Sequence, residues 1–255
     1  MSALGRIIPP ALLIALLLGA WEAACRLLDV PVYLLPAPSA VAGAVAADVP
    51  ALLQGAGATL AMAMTALVLA LICAALLALA GGLNPLIENA VQPLAVTIQV
   101  TPVVAIAPLI VIWTGLDHPD RAIVILAAVV AFFPIYSGMA AGLRSADPDL
   151  ERLFDLYGAS GWQKLWRLRL PSAAPFLFES LKVGSALAMI GAVVAEFVAG
   201  SGAAQGLAWR IVEAANRLQT SKMFAALLVL AVMAALLHGV MTLVERRALA
   251  WWRGR

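Results

Sequence analysis

Long apolar stretches recur along this chain, and they restrict its fold more than any other feature of the sequence. A helix needs about 20 apolar residues to cross a hydrocarbon core of about 30 Å. Six stretches reach that length, at residues 4–28, 58–80, 86–113, 122–141, 174–198 and 223–244. The sequence therefore predicts an all-α polytopic membrane protein with six transmembrane helices.

The overall composition excludes the main soluble classes of protein. Apolar residues make up 64% of the chain and charged residues only 12%, whereas soluble domains average about 45–50% and about 25%. One soluble domain could not bury so much apolar surface. Two cysteines in 255 residues exclude a disulfide-rich secreted scaffold. A formal net charge of +2 gives no reason to expect a nucleic-acid partner.

The first apolar stretch could be a cleaved secretory signal or a retained helix. A signal has a positively charged start and small residues before its cleavage site. Here the only early charge is Arg6, and Glu22, Ala23, Ala24 and Cys25 form a poor cleavage site. We therefore expect a retained first transmembrane helix.

Lys and Arg residues are enriched on one side of the predicted membrane. If both termini lie inside, the inner segments and helix ends carry eleven basic residues and the outer ones carry five. Cytoplasmic loops carry the excess of Lys and Arg in membrane proteins. The sequence therefore predicts that the N and C termini are cytoplasmic, together with residues 144–171.

Residues 144–171, which we call the elbow, have the character of a soluble protein. Asp147 can accept hydrogen bonds from helix amides, and Pro148 suits the first helical position. Gly158 stands where a helix turns left-handed and ends. Between them lies an apolar stripe at helical spacing, formed by Leu150, Leu153, Phe154 and Tyr157. The elbow is therefore predicted to begin with a short amphipathic helix.

A second short helix is predicted after Gly158. Ser160 and Gln163 have the spacing of a capping box, and we expect this helix to run to Pro171, where the next transmembrane helix begins. Nothing in a bilayer needs such an element, whereas a soluble partner could dock on it. The alternative is an amphipathic helix on the membrane surface, with Trp162 and Trp166 at the lipid interface.

The elbow resembles the EAA loop of permease subunits of binding-protein-dependent ABC importers. The similarity lies in residues 158–171 (GASGWQKLWRLRLP), where a glycine is followed after a fixed interval by Leu-Pro. Further motifs are similar to the nitrate, sulfonate and taurine branch: TPVVAIAPL at 101–109, IWTG at 112–115, FFPI at 132–135 and GAVVAEF at 191–197. The last motif also resembles permeases for pyrimidine vitamin precursors or riboflavin.

This resemblance implies a type I ABC importer permease-like fold, with one transmembrane domain at 1–255 and a core bundle at about 57–246. It implies a bacterial inner-membrane assembly of two copies of the chain, two ATP-binding cassette ATPase subunits and an extracytoplasmic substrate-binding protein. Closure of the ATPases would rock the two copies between inward-open and outward-open forms. The expected solute is a small anion such as a sulfonate or nitrate, or alternatively a pyrimidine precursor or riboflavin.

The resemblance also assigns the contact with the ATPase to the elbow. The implied coupling residues are Glu151, Arg152, Leu153, Phe154, Asp155, Tyr157, Gly158, Ser160 and Pro171. Counting back from Gly158, the usual acidic residue of the family falls on Arg152, and its two alanines fall on Leu153 and Phe154. The docking contacts should therefore differ in detail from the family pattern, although acidic residues remain close to Arg152.

Few polar residues lie within the apolar stretches, and three of them are candidates for the solute path. Gln99 and Thr101 flank the break expected at Pro102, where backbone groups freed by the proline could line a path. Glu196 lies late in the fifth stretch, and ionisable groups at that depth usually face the bundle or a cavity. Packing is the alternative role for all three. The alternative function is a secondary transporter driven by an ion gradient through Glu196.

No catalytic or metal site is predicted in this chain. The sequence has neither the phosphate-binding pattern G-x-x-x-x-G-K-[ST] nor the hydrolase pattern G-x-S-x-G. Its two histidines, His118 and His238, belong to no cluster with zinc-like spacing. We therefore expect no cofactor in this chain, and Mg-ATP in the partner ATPase.

Overall fold

Helices form nearly all of the chain that the computed structural model describes, which is residues 3–115, 117–199 and 206–252. No strand occurs within those three ranges. The helices are α1 Ala3–Leu27, α2 Pro38–Ala47, α3 Val49–Leu83, α4 Pro85–Val100, α5 Val103–Thr114, α6 Pro119–Arg144, α7 Pro148–Leu156, α8 Gly161–Lys164, α9 Leu170–Ala199, α10 Leu207–Asn216 and α11 Thr220–Trp252. A π-helical turn at Leu165–Arg169 joins α8 to α9. The all-α prediction is confirmed.

Five helices in the described part of the chain are long and apolar enough to cross a membrane. They lie at Ile8–Leu27, Val49–Leu83, Pro119–Arg144, Gly161–Ala199 and Thr220–Ala250. α4 and α5 form a bent pair, with 101° between them, that is either a broken sixth span or a re-entrant loop. Each predicted apolar stretch thus lies in a helix or in the bent pair, which confirms a polytopic membrane protein.

The break between α4 and α5 follows from Pro102. Proline has no N–H to donate, and it drives the preceding residue out of the helical region. Thr101 accordingly has extended backbone angles, φ −71° and ψ 124°. Pro93 and Pro108 lie inside α4 and α5 without ending them. α3 begins at Val49, well before the predicted residue 58. Pro50 lies in its first turn, where a residue without an N–H is tolerated because the amides there have no partner within the helix.

Pro171 does not end the helix of the elbow, contrary to the prediction. α8, the π-helical turn and α9 form one continuous helix, Gly161–Ala199. At the end of the π-helical turn the Leu170 amide donates to the Leu165 carbonyl, five residues back. This wider hydrogen-bond pattern directly precedes Pro171 and lets the helix continue through a residue that cannot donate. The elbow is therefore a helix, a glycine turn and the start of a long transmembrane helix.

The chain divides into two compact units. The first consists of Met1–Gly57 and Gln205–Ala231, and it contains α1, α2 and α10 with the first parts of α3 and α11. The second consists of Ala58–Ala204 and Val232–Arg255, and it contains α4 to α9 with the remainders of α3 and α11. α6 and α9 have the most extensive packing within the second unit. A single domain at 1–255 with a core at about 57–246 stays a prediction.

Glycines on α6 allow α9 to approach it closely. A Cβ built on Gly138 would lie 2.4 Å from the Ser180 Cβ, and one built on Gly142 would lie 2.9 Å from the Ala173 Cα. Packed atoms do not approach so closely, and small residues at helix crossings in membranes serve to bring backbones together. The contact between α6 and α9 therefore depends on glycine at these two positions.

We expect Gly138→Ala to destabilise the protein by about 1–3 kcal/mol, because the added methyl group forces α6 and α9 apart. Gly239→Ala in α11 is the matched control, since a Cβ on Gly239 would have nothing within 4 Å. Alanine at an unhindered helical glycine position stabilises by about 0.4–1 kcal/mol. Thermal unfolding in detergent measures both variants, and equal midpoints would contradict the close packing of α6 on α9.

Candidate coupling site

The elbow folds locally as its capping residues direct. The Asp147 carboxylate accepts the Asp149 amide at 2.8 Å. Gly158 has φ +66°, a left-handed conformation that glycine adopts without strain. Ser160 and Gln163 form the predicted capping box, with Ser160 N to Gln163 Oε1 at 2.8 Å and Gln163 N to Ser160 Oγ at 3.3 Å. Local sequence signals therefore fix the direction of α7 relative to α8.

α7 presents an apolar ridge on its surface. We define the apolar ridge by four side chains with exposed fractions of 44%, 44%, 85% and 83%, which are Leu150, Leu153, Leu156 and Tyr157. α7 contains no buried residue. Large apolar side chains exposed together on one short helix indicate an interaction surface. Three of the four residues belong to the apolar stripe predicted from helical spacing, and Leu156 is the addition.

A cleft of about 280 Å³ lies beside the apolar ridge. Its lining comes from both sides of the glycine turn and consists of Leu153, Phe154, Tyr157, Ala159, Gln163 and Arg167. Phe154 is half-buried in this part of the elbow. The cleft adjoins the apolar ridge through Leu153 and Tyr157, which belong to both.

Arg169 ties α7 to two other helices. Its Nε donates to Glu151 Oε1 at 2.5 Å, and its Nη2 donates to Glu151 Oε2 at 3.2 Å. Its Nη1 donates to the Gly82 carbonyl at 2.9 Å, in the last turn of α3, where carbonyls lack partners within the helix. We call Glu151, Arg169 and Gly82 the anchor. Because α7 buries none of its own residues, the anchor rather than core packing holds it against α3 and α9.

The Arg169 guanidinium lowers the pKa of Glu151 below its ordinary value of 4.5, because the hydrogen bond stabilises the ionised carboxylate. A carboxyl group whose pKa is lowered by folding stabilises the folded state at pH values above its ordinary pKa. This stabilisation is lost as the pH falls through the lowered pKa. We therefore expect the anchor to stay ionised, and its strength to be unchanged, from about pH 6 to about pH 8.

The remaining charges of the elbow divide into a cluster and a surface pair. Lys164 forms an ion pair with Asp155 and lies 3.8 Å from Glu151. Among the described residues Arg152 pairs with Asp149 alone, at 3.1 Å, and the two side chains are 77% and 85% exposed. The structure thus brings Glu151 and Asp155 together around a lysine and leaves Arg152 at the surface. The last predicted coupling residue, Pro171, lies in α9 just after Arg169.

Sequence reasoning missed Arg169, Gly82 and Lys164 as members of this site. Arg169 is 18 residues from Glu151 and 87 residues from Gly82, so no local periodicity connects them. The one available signal was that α7 carries acidic residues on faces away from its apolar stripe. These acidic side chains were expected to pair with basic ones, but the sequence did not show with which.

A cavity of about 380 Å³ adjoins the anchor. Its charged lining includes Glu88, Arg144, Glu151 and Arg169, and Glu88 forms an ion pair with Arg144. Close-packed interiors transmit displacement but do not absorb it. The unfilled space gives α7 room to shift without overpacking α4 and α6.

Polar side chains of α4 share one helix face. Glu88, Gln92 and Gln99 lie within about 40° of one another, and Ala95, the buried residue of α4, lies on the same face. Gln92 and Gln99 are exposed, and an amide facing lipid would lack hydrogen-bond partners. Thr101 at the bend donates its hydroxyl back to an α4 carbonyl at 2.7 Å. This face is therefore a candidate lining of a solute path, and Gln92 is the member that sequence reasoning missed.

Glu196 is fully buried, with an exposed fraction of 0%. Its Oε1 accepts the Thr59 hydroxyl at 2.7 Å, which joins α9 to α3 within the second unit. The structure thus supplies a packing contact for this carboxyl group. A role for Glu196 in the solute path stays a prediction.

We expect Glu196→Ala to lower the stability by about 1–3 kcal/mol, because it removes an acceptor of the buried Thr59 hydroxyl and opens a cavity. Glu196→Gln keeps an acceptor oxygen and should cost less. Glu179→Ala is the control, since Glu179 is exposed on the same helix, where substitutions change stability by less than about 0.5 kcal/mol. Thermal unfolding in detergent compares the three, and a Glu196→Ala midpoint equal to the control would contradict a structural role for this hydrogen bond.

Known proteins resemble the chain over most of its length. Residues 66–249 match the family model described as binding-protein-dependent transport system inner membrane component. The chain is 37% identical over 252 residues to the riboflavin transport system permease protein RibX of Chloroflexus aurantiacus, which covers 92% of this chain and 87% of the relative. It is 31% identical over 243 residues to the formylaminopyrimidine transport permease protein ThiX of Halalkalibacterium halodurans, covering 95% of each. It is 30% identical over 175 residues to the taurine transport system permease protein TauC of Escherichia coli, covering 69% of this chain and 62% of the relative.

Proposed function

The chain belongs to the family of binding-protein-dependent transport system inner membrane components, and on that premise we propose that it works as a homodimer with two ATPase subunits and an extracytoplasmic binding protein. Family membership makes it a permease subunit of an ABC importer in the bacterial inner membrane, and not a catalytic enzyme. In the proposed assembly Mg-ATP binds to the partner ATPases, and both termini of this chain are cytoplasmic.

The observation that carries the coupling proposal is the apolar ridge together with the anchor beneath it. The ridge supplies a surface for the ATPase, and the anchor connects that surface to the transmembrane helices. When the ATPases close, they displace α7, and the Glu151–Arg169 contact passes the displacement to the start of α9. The hydrogen bond from Arg169 to Gly82 passes it to the end of α3. Charged contacts hold α7 in place, and the adjoining cavity leaves space into which α7 can shift as a unit.

The solute path that we propose runs along the polar face of α4 and past the bend at Pro102. Gln92, Gln99 and Thr101 would offer neutral hydrogen-bonding groups to a passing solute. Weak contacts suit a permease that receives its solute from a binding protein, because a tight site would slow release. Displacement of α9 would move Glu196 and the contact that it makes with α3.

For the solute we favour a small heteroaromatic vitamin or vitamin precursor over a sulfonate. The relatives whose names specify riboflavin and formylaminopyrimidine match 92% and 95% of this chain, whereas the taurine relative matches 69%. The apolar spans also hold few basic residues for a tight anion site. Uptake of labelled riboflavin, formylaminopyrimidine and taurine into cells with and without the gene would separate the two classes.

A secondary transporter driven by an ion gradient is not favoured. The relatives are permeases of ABC transporters. A secondary transporter binds no ATPase, so the apolar ridge would have no role in it. The hydrogen bond from Thr59 to Glu196 gives this carboxyl group a packing role that needs no ion transfer.

Mild purification of the tagged chain from its native membranes, followed by mass spectrometry, tests the proposed assembly. We expect a P-loop ATPase in equal amount, and import into proteoliposomes that requires ATP on the side of the ATPase. Recovery of the chain alone after mild cross-linking, together with import driven by a proton or sodium gradient without ATP, would contradict the proposal.

A further inference from the structure

A polar cavity of about 220 Å³ lies within the first unit of the chain. α2, the start of α3, α10 and the start of α11 surround it. Its charged and polar lining consists of Asp48, Arg210, Glu213, Arg217, Gln219 and Lys222. It is unrelated to the coupling site, whose residues all belong to the second unit. With the proposed cytoplasmic termini, this cavity opens on the extracytoplasmic side.

Arg210 lines this cavity and also carries a buried donor that is unsatisfied within the described residues. This donor is the buried Nε, for which the described residues supply no hydrogen-bond acceptor, although the great majority of buried polar groups in proteins have a partner. Gly55 of α3 makes room for the side chain, because a Cβ at that position would lie 2.9 Å from the Arg210 Nε. Packing against Gly55 thus holds the Arg210 side chain in place at the wall of the cavity.

The cavity has an excess of positive charge. Arg217 pairs with Glu213 at 2.8 Å, whereas Arg210 and Lys222 form no ion pair among the residues that the structure describes. Asp48 is the one other charged group of the lining, so three basic side chains face two carboxylates. Lys222 also lies in the first turn of α11, where the helix dipole adds positive potential.

We propose that this cavity binds a small oxyanion, a carboxylate, sulfonate or phosphate group, between Arg210 and Lys222. A guanidinium presents a fork of donors that matches such a group, and an ammonium adds a point charge. The volume fits the charged group of a ligand rather than a drug-sized molecule, for which pockets measure about 300–1,000 Å³. The oxyanion can come from a free solute or from a lipid headgroup, since both carry the same chemistry.

Calorimetric titration of the full chain with sodium sulfate tests this site. The protein is held in nanodiscs of zwitterionic lipid, and sodium chloride at matched ionic strength gives the background. We expect saturable sulfate binding that Arg210→Gln or Lys222→Gln weakens by at least about tenfold, the effect of losing one charged hydrogen bond. Arg210→Lys keeps the charge and should retain part of the affinity. Arg121→Gln is the control, because Arg121 is exposed on α6 and outside the first unit.

A second titration in nanodiscs with phosphatidylglycerol distinguishes the source of the oxyanion. Unchanged sulfate affinity assigns the site to a free solute, and competition by the anionic lipid assigns it to a headgroup; either result supports the proposal. No binding above the chloride background, or binding that Arg210→Gln leaves unaltered, would overturn it. The experiment uses this chain alone, so a failure of the ATPase to dock would not affect its outcome.

Discussion

The double substitution Leu153→Glu and Leu156→Glu is expected to abolish both co-purification of the ATPase and ATP-driven import. Both leucines belong to the apolar ridge, with exposed fractions of 44% and 85%. In the proposed complex each glutamate would carry an unpaired charge into an apolar contact, and such a burial costs several kcal/mol. We expect the affinity for the ATPase to fall by at least about 100-fold. Quantitative pull-down with the tagged chain measures this loss.

Leu34→Glu is the matched control for that experiment. Leu34 is 68% exposed in the segment between α1 and α2, which lies outside the cytoplasm in the proposed topology. The substitution therefore makes the same chemical change at a surface that we do not expect the ATPase to reach. Neither change should alter the unfolding free energy by more than about 0.5 kcal/mol, because the replaced side chains are exposed. A ridge variant that keeps its ATPase and its import activity would contradict the assignment of the ridge.

Arg169→Gln is expected to uncouple import from ATP hydrolysis while the ATPase remains bound. The change removes the bidentate contact with Glu151 and leaves that carboxylate without its strongest partner, although the apolar ridge itself is untouched. We expect import to fall at least about tenfold, equivalent to about 1.4 kcal/mol, and the stability to fall by about 1–2 kcal/mol because the pair is only partly buried. Parallel assays of ATP hydrolysis and import in proteoliposomes separate coupling from assembly.

Arg152→Gln supplies the control for the anchor. Arg152 makes a solvent-exposed pair with Asp149, and pairs of this spacing on a helix surface contribute about 0.2–0.5 kcal/mol. Arg169→Lys should restore part of the coupling, since a lysine keeps the charge but not the fork of donors. If Arg169→Gln and Arg152→Gln had equal effects on import, the anchor would not be the link between α7 and the bundle.

The transmembrane helices could be predicted from sequence because a bilayer requires long apolar segments, and this chain has six of them. The break at Pro102 was predictable from a local effect, since a proline drives the residue before it, here Thr101, out of the helical region. Pro171 shows the limit of that reasoning. Because proline has no N–H to donate, the helix was expected to end there. A π-helical turn before Pro171 rearranges the hydrogen bonds, and the helix continues.

The apolar ridge could be predicted from periodicity, whereas the anchor could not. Leu150, Leu153 and Tyr157 are related by helical spacing within one short segment. Arg169 and Gly82 meet only because α9 and α3 come together in the folded chain, at a separation of 87 residues. Resemblance to a family identified the elbow as the docking segment, but this chain departs from the family pattern at Arg152. The structure was needed to identify Glu151 as the acid that holds α7.

Site-directed cross-linking from Leu156 tests the central claim, that α7 is the contact through which the ATPase acts. Leu156→Cys would be introduced after replacement of Cys25 and Cys73, the cysteines of this chain, and treated with a short thiol-reactive photo-cross-linker in native membranes. We predict a covalent product with the ATPase whose yield changes on addition of ATP, and no such product from Leu34→Cys. Absence of the product at position 156, with an intact and active complex, would contradict the coupling role of the elbow.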